Sequence, residues 1–236
     1  MTEAAISPVS TRLEEGVAVV QLDDGKANVF SYPLLEALSA ALDEAEAGAR
    51  AVLLVGRPGR FSGGFDLTEM TKGPLEAAAL ALAGGRVLLR LYTFPLPTVV
   101  ACTGSAMAAG ALALLASDTR IGADVPCKIG LNETAIGMTM PAYGRFLAEE
   151  RLSRRHVTRA LLQGEVYDAP GAVAAGYLDR AVPPDEVEVV ALAEAKRLGA
   201  LPGRAYAATK ANIRAARTEA VVAALESDFG GPPVRS

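Results

Sequence analysis

Apolar and polar positions change their period several times along this chain, and each change marks an element. In VSTRLEEGVAVVQLDD (residues 9–24) two strand-like runs flank Gly16, which predicts a hairpin with VAVVQL as its buried arm. SYPLLEALSAALDEAEAG (31–48) places Leu35, Leu38, Leu42 and Ala45 at helical spacing, opened by Ser31 and Pro33 and stopped by Gly48. RAVLLVG (50–56) is a continuous apolar run of strand length. A helix over about 75–92, the strand PTVVACTG (97–104) and the apolar helix AAGALALLAS (108–117) come next. TRIGAD and CKIG read as short strands, PAYGRFLAEERL and SRRHVTRALLQG as helices. DAPGAVAAG (168–176) is a short capped helix handing over to the strand YLDRAV, and two longer amphipathic helices start near Asp185 and Arg204. The C-terminal GPPVRS reads as a loose tail. Alternating strands and helices predict an α/β layered core with helices on its outside.

Composition narrows the function classes. A chain of 236 residues suits one sizeable domain, and 51% hydrophobic with 21% charged residues is an ordinary enzyme-like balance. A net charge of −4 argues against nucleic-acid binding, while leaving room for one anionic ligand held by local Arg and Lys. Cys102 and Cys127, the two cysteines, offer neither a disulfide framework nor a metal spacing, so a reducing cytoplasm and no metal site are expected. The N-terminal MTEAAISPVSTRLEEG has an acid and no apolar core, unlike a signal peptide. Apolar stretches such as AMAAGALALLA are too short to span a membrane.

Two glycine-bearing loops, FSGGFDL (61–67) and ACTGSAMAAGALALL (101–115), each follow an apolar strand and run into a helix. Small residues let a backbone approach a ligand closely, and a helix N-terminus presents unpaired N–H groups backed by a partial positive charge. Two such N–H groups aimed at one point would form an oxyanion hole. The alternative is that Gly63, Gly64 and Gly110 only permit tight turns. Neither loop has phosphate-binding spacing. Glu133, in KIGLNETAIGMTMP, lies in a context poor in basic partners. It is either a base made stronger by apolar walls or a helix-start acid behind the N-cap Asn132. His156 stands among arginines on an expected solvated helix face, and Ser105 lacks a nucleophile elbow, so no catalytic triad is expected.

Together these stretches resemble the crotonase superfamily, the enoyl-CoA hydratases and isomerases. RFSGGFDLTEM is similar to its first oxyanion motif, Phe-x-Ala-Gly-x-Asp-Leu, with Gly63 in place of Ala. ACTGSAMAAGALALLASDTRIGAD is similar to the second, Gly-x-Ala-x-Gly-Gly-Gly followed by a helix and Asp-x-Arg-Ile. GKANVF resembles the early CoA-contacting turn, GLNETAIGMTMP the segment with a catalytic Glu, and DAPGAVAAGYLDRAV the Ala-x-x-x-Gly-hydrophobic-Val turn.

The resemblance implies a spiral of ββα units over residues 1–180, with a C-terminal helical region, 181–236, that closes the site and supports a homotrimer or dimer of trimers. It puts the oxyanion N–H groups at Phe65 and Ala109, with Asp66 capping the next short helix. Lys26, Ala27, Gly63, Gly64, Asp66 and Gly110 would face the acyl-CoA thioester, which brings coenzyme A as part of the substrate and needs no other cofactor. Lys210 is a candidate phosphate contact, within its own subunit or from a neighbouring one, or a solvated helix residue. Hydratases of the family carry two glutamates. Here the first position is Leu112 and the second is Glu133, a pattern closer to the Δ3,Δ2-enoyl-CoA isomerases. Enoyl-CoA hydration, another CoA-thioester reaction, or acyl-CoA binding with little activity are the alternatives.

Overall fold

Successive strands of this chain leave one sheet and enter another, each pair followed by a helix, in a computed structural model that describes residues 7–230. The entry hairpin is β1 (Val9–Glu14) and β2 (Val17–Leu22), antiparallel and turning at Glu15–Gly16 as expected, with β3 (Val29–Phe30) and α1 (Tyr32–Gly48) after it. Ser31 caps α1, its Oγ accepting from the Leu34 N–H at 3.4 Å. The first full unit is β4 (Ala51–Val55), β5 (Gly59–Ser62) and β6 (Gly64–Phe65), then α2 (Leu67–Met70) and α3 (Pro74–Thr93). The second is β7 (Thr98–Cys102), β8 (Gly104–Met107) and α4 (Ala109–Ala116). The third is β9 (Thr119–Ala123), β10 (Ile129–Gly130), α5 (Ala142–Arg151) and α6 (Arg154–Leu161). The order closes with β11 (Val166–Tyr167), α7 (Ala169–Ala175), β12 (Arg180–Val182), α8 (Val187–Gly199) and α9 (Gly203–Gly230). The expected loose tail at 231–236 and the first residues of the N-terminal stretch lie outside the described residues.

The larger sheet runs β1-β2-β4-β7-β9-β12, parallel except for β1. Both faces of its central strands are covered, which is why β4 and β7 are near-continuous apolar runs rather than alternating ones. Val20, Val52, Leu54 and Val100 face a core shared with α1, α3 and α4, while Val19, Leu53, Val99 and Ile121 face Val187, Ala191 and Ala195 of α8. The C-terminal region is thus continuous with the core, and residue 181, its expected start, falls inside β12. The second sheet, β11-β10-β8-β5, and the β3-β6 pair are built from strands of two to four residues.

α9 is fastened by a buried charge cluster. Asp118, between α4 and β9, meets Lys210 Nζ at 2.7 Å and Arg214 at 2.9 Å. It also accepts from Tyr206 at 2.8 Å and from the Thr98 N–H at 2.9 Å. Burial works against its charge, but the two cations outweigh burial and hold its carboxyl below the usual range. Asp118→Ala would leave two buried cations unpaired, so a loss of about 3–5 kcal/mol is expected in urea unfolding. An unchanged midpoint would show that the cluster stabilises nothing.

His156 corrects an expectation. It is buried, with Nδ1 3.1 Å from the Tyr167 hydroxyl. Arg154, Arg155 and Arg159 occupy the wet face of α6, while His156 and Ala160, four residues apart, point inward.

Candidate active site

Three parallel strands of the small sheet, β5, β8 and β10, aim the candidate residues at one place. Ser62 pairs with Ala106 and Met107 with Gly130, so the segments 63–66, 108–110 and 131–133 leave the sheet from the same edge. Ligands of α/β sheets collect at such carboxyl ends.

Gly64 has φ +96°, open mainly to glycine, and a Cβ there would lie 3.0 Å from Ala108 Cβ and 3.6 Å from the Ala109 nitrogen. A Cβ on Gly110 would lie 2.7 Å from Ser62 Cβ. These glycines bring the two loops into contact. In the parallel β3-β6 pair, Phe30 faces Phe65 and its carbonyl accepts from Asp66. The Phe65 N–H therefore points away from β3. Ala109 opens α4 behind Ala108, which has φ +48° and gives no side-chain cap to the helix. That backbone region is costly for a residue with a Cβ and often marks functional sites. Phe65 and Ala109 thus lie on the two loops that meet here, and the Phe65 ring turns away from the second loop, against Gly84 of α3. Asp66 caps α2 as expected, Oδ1 accepting from the Thr68 N–H at 2.9 Å.

The support behind these loops was not anticipated. Ser62 Oγ donates to the Asn28 carbonyl at 2.6 Å and accepts from the Gly64 N–H at 3.2 Å. Asn28, fully buried with φ +50°, donates to the carbonyls of Leu22 and Phe61. An Asn inside an otherwise turn-like GKANVF was the available signal, since Asn tolerates left-handed backbone.

Glu133 follows β10 at the head of a short 3-10 turn, Thr134–Ile136, but its side chain caps nothing. Glu133 is 8% exposed, and its Oε2 is buried without a hydrogen-bond partner among the described residues. Burial pushes its pKa up to about 7. Glu133 thus stands at the start of a helical turn, as one alternative expected, but at the cap position given to Asn132, and its buried carboxylate takes no part in capping. Leu112, one turn into α4, is buried, and a Cβ on Gly144 would lie 3.3 Å from its Cδ1 and 2.4 Å from Met140 Sδ. The position of a second carboxylate is filled by hydrocarbon.

The Lys26–Ala27 turn docks on the first loop, the Gly63 N–H donating to the Ala27 carbonyl at 2.8 Å. The Lys26 N–H is committed to Asp24 at 2.7 Å, and its carbonyl accepts from Arg57 at 3.0 Å. Each carbonyl keeps a second lone pair for a ligand. Lys210 is not brought to this loop as a phosphate contact or left on a solvated face. It is 5% exposed and bound to Asp118 and the Leu96 carbonyl. A buried ammonium already neutralised by a carboxylate has little left to offer a phosphate.

Strands spiralling between two sheets, two glycine-bearing loops meeting at the strand ends, and one buried acid beside them define a crotonase-fold enzyme. The chain belongs to the enoyl-CoA hydratase/isomerase family, whose sequence profile matches residues 12–230. It is 36% identical over 219 residues to human mitochondrial enoyl-CoA delta isomerase 1, covering 90% of this chain and 72% of that protein. It is 36% identical over 195 residues to a putative enoyl-CoA hydratase of Thermus thermophilus, covering 79% and 75% respectively. The crystal structure of an enoyl-CoA hydratase/isomerase family protein from Pseudomonas syringae superposes with a TM-score of 0.93 at 40% identity, covering 96% of this chain and 99% of that one. Among the described residues no helix is long and apolar enough to cross a membrane.

Proposed function

We propose that this enzyme is a Δ3,Δ2-enoyl-CoA isomerase working with one carboxylate. The observation that supports it is the isolation of Glu133, buried, unpartnered and raised to about 7, with Leu112 where a second acid would stand. The Glu133 carboxylate takes a proton from C2 of a 3-enoyl thioester. The C–H electrons form the enolate, and its oxygen sits between the N–H groups of Phe65 and Ala109. Protonated Glu133 then gives its proton to C4, and the enolate collapses to the 2-enoyl thioester. One proton moves from C2 to C4, with no redox change and no water added. Coenzyme A enters as part of the substrate, with the Lys26 and Arg57 cations beside the docking turn as its phosphate partners. Assembly into trimers belongs to the same reading, and exposed Leu201, Ile213 and Val222 offer apolar surface for it.

The test is steady-state turnover of a 3-enoyl-CoA beside hydration of a 2-enoyl-CoA. Isomerisation is expected to dominate kcat/KM, with an acid limb near pH 7 below which the rate falls about tenfold per pH unit. Faster hydration than isomerisation would reject the assignment.

A further inference from the structure

The turn from Asp24 to Val29 is closed on itself and then fastened to the first loop by hydrogen bonds. Asp24 accepts from the N–H groups of Lys26 and Val29 at 2.7 and 3.0 Å, and its own N–H donates to Asn28 Oδ1 at 3.0 Å. These bonds tie residues 24–29 into one piece. Three contacts dock that piece on the end of β5. The Asn28 side-chain amide donates to the Phe61 carbonyl at 3.1 Å, and the Ser62 hydroxyl donates to the Asn28 carbonyl at 2.6 Å. The third is the bond from the Gly63 N–H to the Ala27 carbonyl.

Of the three, the Ser62 contact reaches furthest. A hydroxyl has one proton and two lone pairs. The Ser62 proton is committed to Asn28, which leaves a lone pair for the Gly64 N–H at 3.2 Å. Donating on one side strengthens accepting on the other. The bond ends one residue before the Phe65 N–H, on a glycine at φ +96° whose backbone is intrinsically free and needs restraint from outside. Ser62 and Asn28 are both fully buried, so water is not at hand to replace either bond. The same side chain meets the second loop, since a Cβ on Gly110 would lie 2.7 Å from Ser62 Cβ and 3.0 Å from its Oγ. An alanine at 62 would keep the packing against Gly110 and lose both hydrogen bonds.

We infer that Ser62 is a positioning residue whose hydroxyl carries the placement of the 24–29 turn to the Gly64–Phe65 peptide. Docking of the coenzyme A part of a substrate on that turn thereby orders the N–H meant for the thioester oxygen. This rests on the proposed docking turn and oxyanion N–H groups, but the deciding measurement needs no catalysis. Amide hydrogen exchange of the segment 61–66 is followed with and without free coenzyme A. In the parent the ligand should slow exchange there about tenfold. In Ser62→Ala coenzyme A should still bind while the slowing disappears. Ser62→Cys, which keeps the shape and a weak donor, should fall between and serves if the alanine variant does not fold. A merely structural hydroxyl would change exchange equally with and without ligand, and an unchanged ratio overturns the inference, as does a parent that binds coenzyme A without protecting 61–66. Turnover supplies the second readout, comparing a 3-enoyl-CoA with the same acyl group on pantetheine. Remote binding used for orientation appears in kcat, so the full substrate should turn over about tenfold faster in the parent and lose that advantage in Ser62→Ala. Lost protection with kcat unmoved would sink Phe65 as the oxyanion donor and leave the link standing. A parent that does not bind coenzyme A would sink the acyl-CoA reading and the link together.

Discussion

Glu133→Gln is expected to lower turnover of a 3-enoyl-CoA by about a hundred- to ten-thousand-fold, the usual cost of losing a general base. The amide is nearly isosteric, so acyl-CoA binding should survive. Stability should respond in the opposite sense to activity. Burial raises the Glu133 carboxyl from an ordinary 4.5 to about 7, so between those values the folded chain holds a proton that the unfolded chain has released. Stability therefore falls as pH rises from about 4.5 and levels off above about 7, by an amount on the order of 3 kcal/mol. Gln carries no such penalty. The variant's gain in melting temperature should be largest at pH 8 and small at pH 5, which calorimetry at the two values would show. Full turnover in Glu133→Gln would send the search to other acids, Glu69 and Asp66 first.

Gly64→Ala is the second large effect. The new methyl would press on Ala108 Cβ and the Met107 carbonyl at 3.0 Å, at a φ of +96° that disfavours any side chain. Ala108 is itself held at an unfavourable φ, so the loops have no relaxed way to part. Separation of the Phe65 and Ala109 N–H groups should cost about a hundred- to a thousand-fold in kcat, as loss of one oxyanion donor does. Backbone strain should add about 1–3 kcal/mol of destabilisation. Parent-like kcat in a folded Gly64→Ala protein would mean that these two N–H groups do not hold the developing charge.

The sequence made the long elements legible because their causes are local. Ser31 and Gly48 bound α1, and the unbroken runs of β4 and β7 follow from a sheet covered on both sides. The small sheet was mostly hidden, since strands such as Val29–Phe30, Gly64–Phe65 and Val166–Tyr167 are too short to show any period. Resemblance to the family's motifs pointed to Phe65, Ala109, Leu112 and Glu133, but their segments are brought to one side of the small sheet because β5, β8 and β10 run parallel and end together. Long-range pairings were the least accessible. Lys210 looked like a surface cation because nothing near it in sequence announces Asp118, 92 residues earlier. The inward turn of His156 was masked by the arginines on either side.

That distance between Asp118 and its partners also sets an order of assembly. During synthesis the carboxylate between α4 and β9 emerges long before Lys210 and Arg214, and until α9 arrives it must stay hydrated or protonated. The junction that anchors β9 beside β7 can therefore close completely only when nearly the whole chain has left the ribosome. A nascent chain arrested at residue 200 should expose this junction to protease. One extended past 214 should protect it, making the last helix the event that commits the fold.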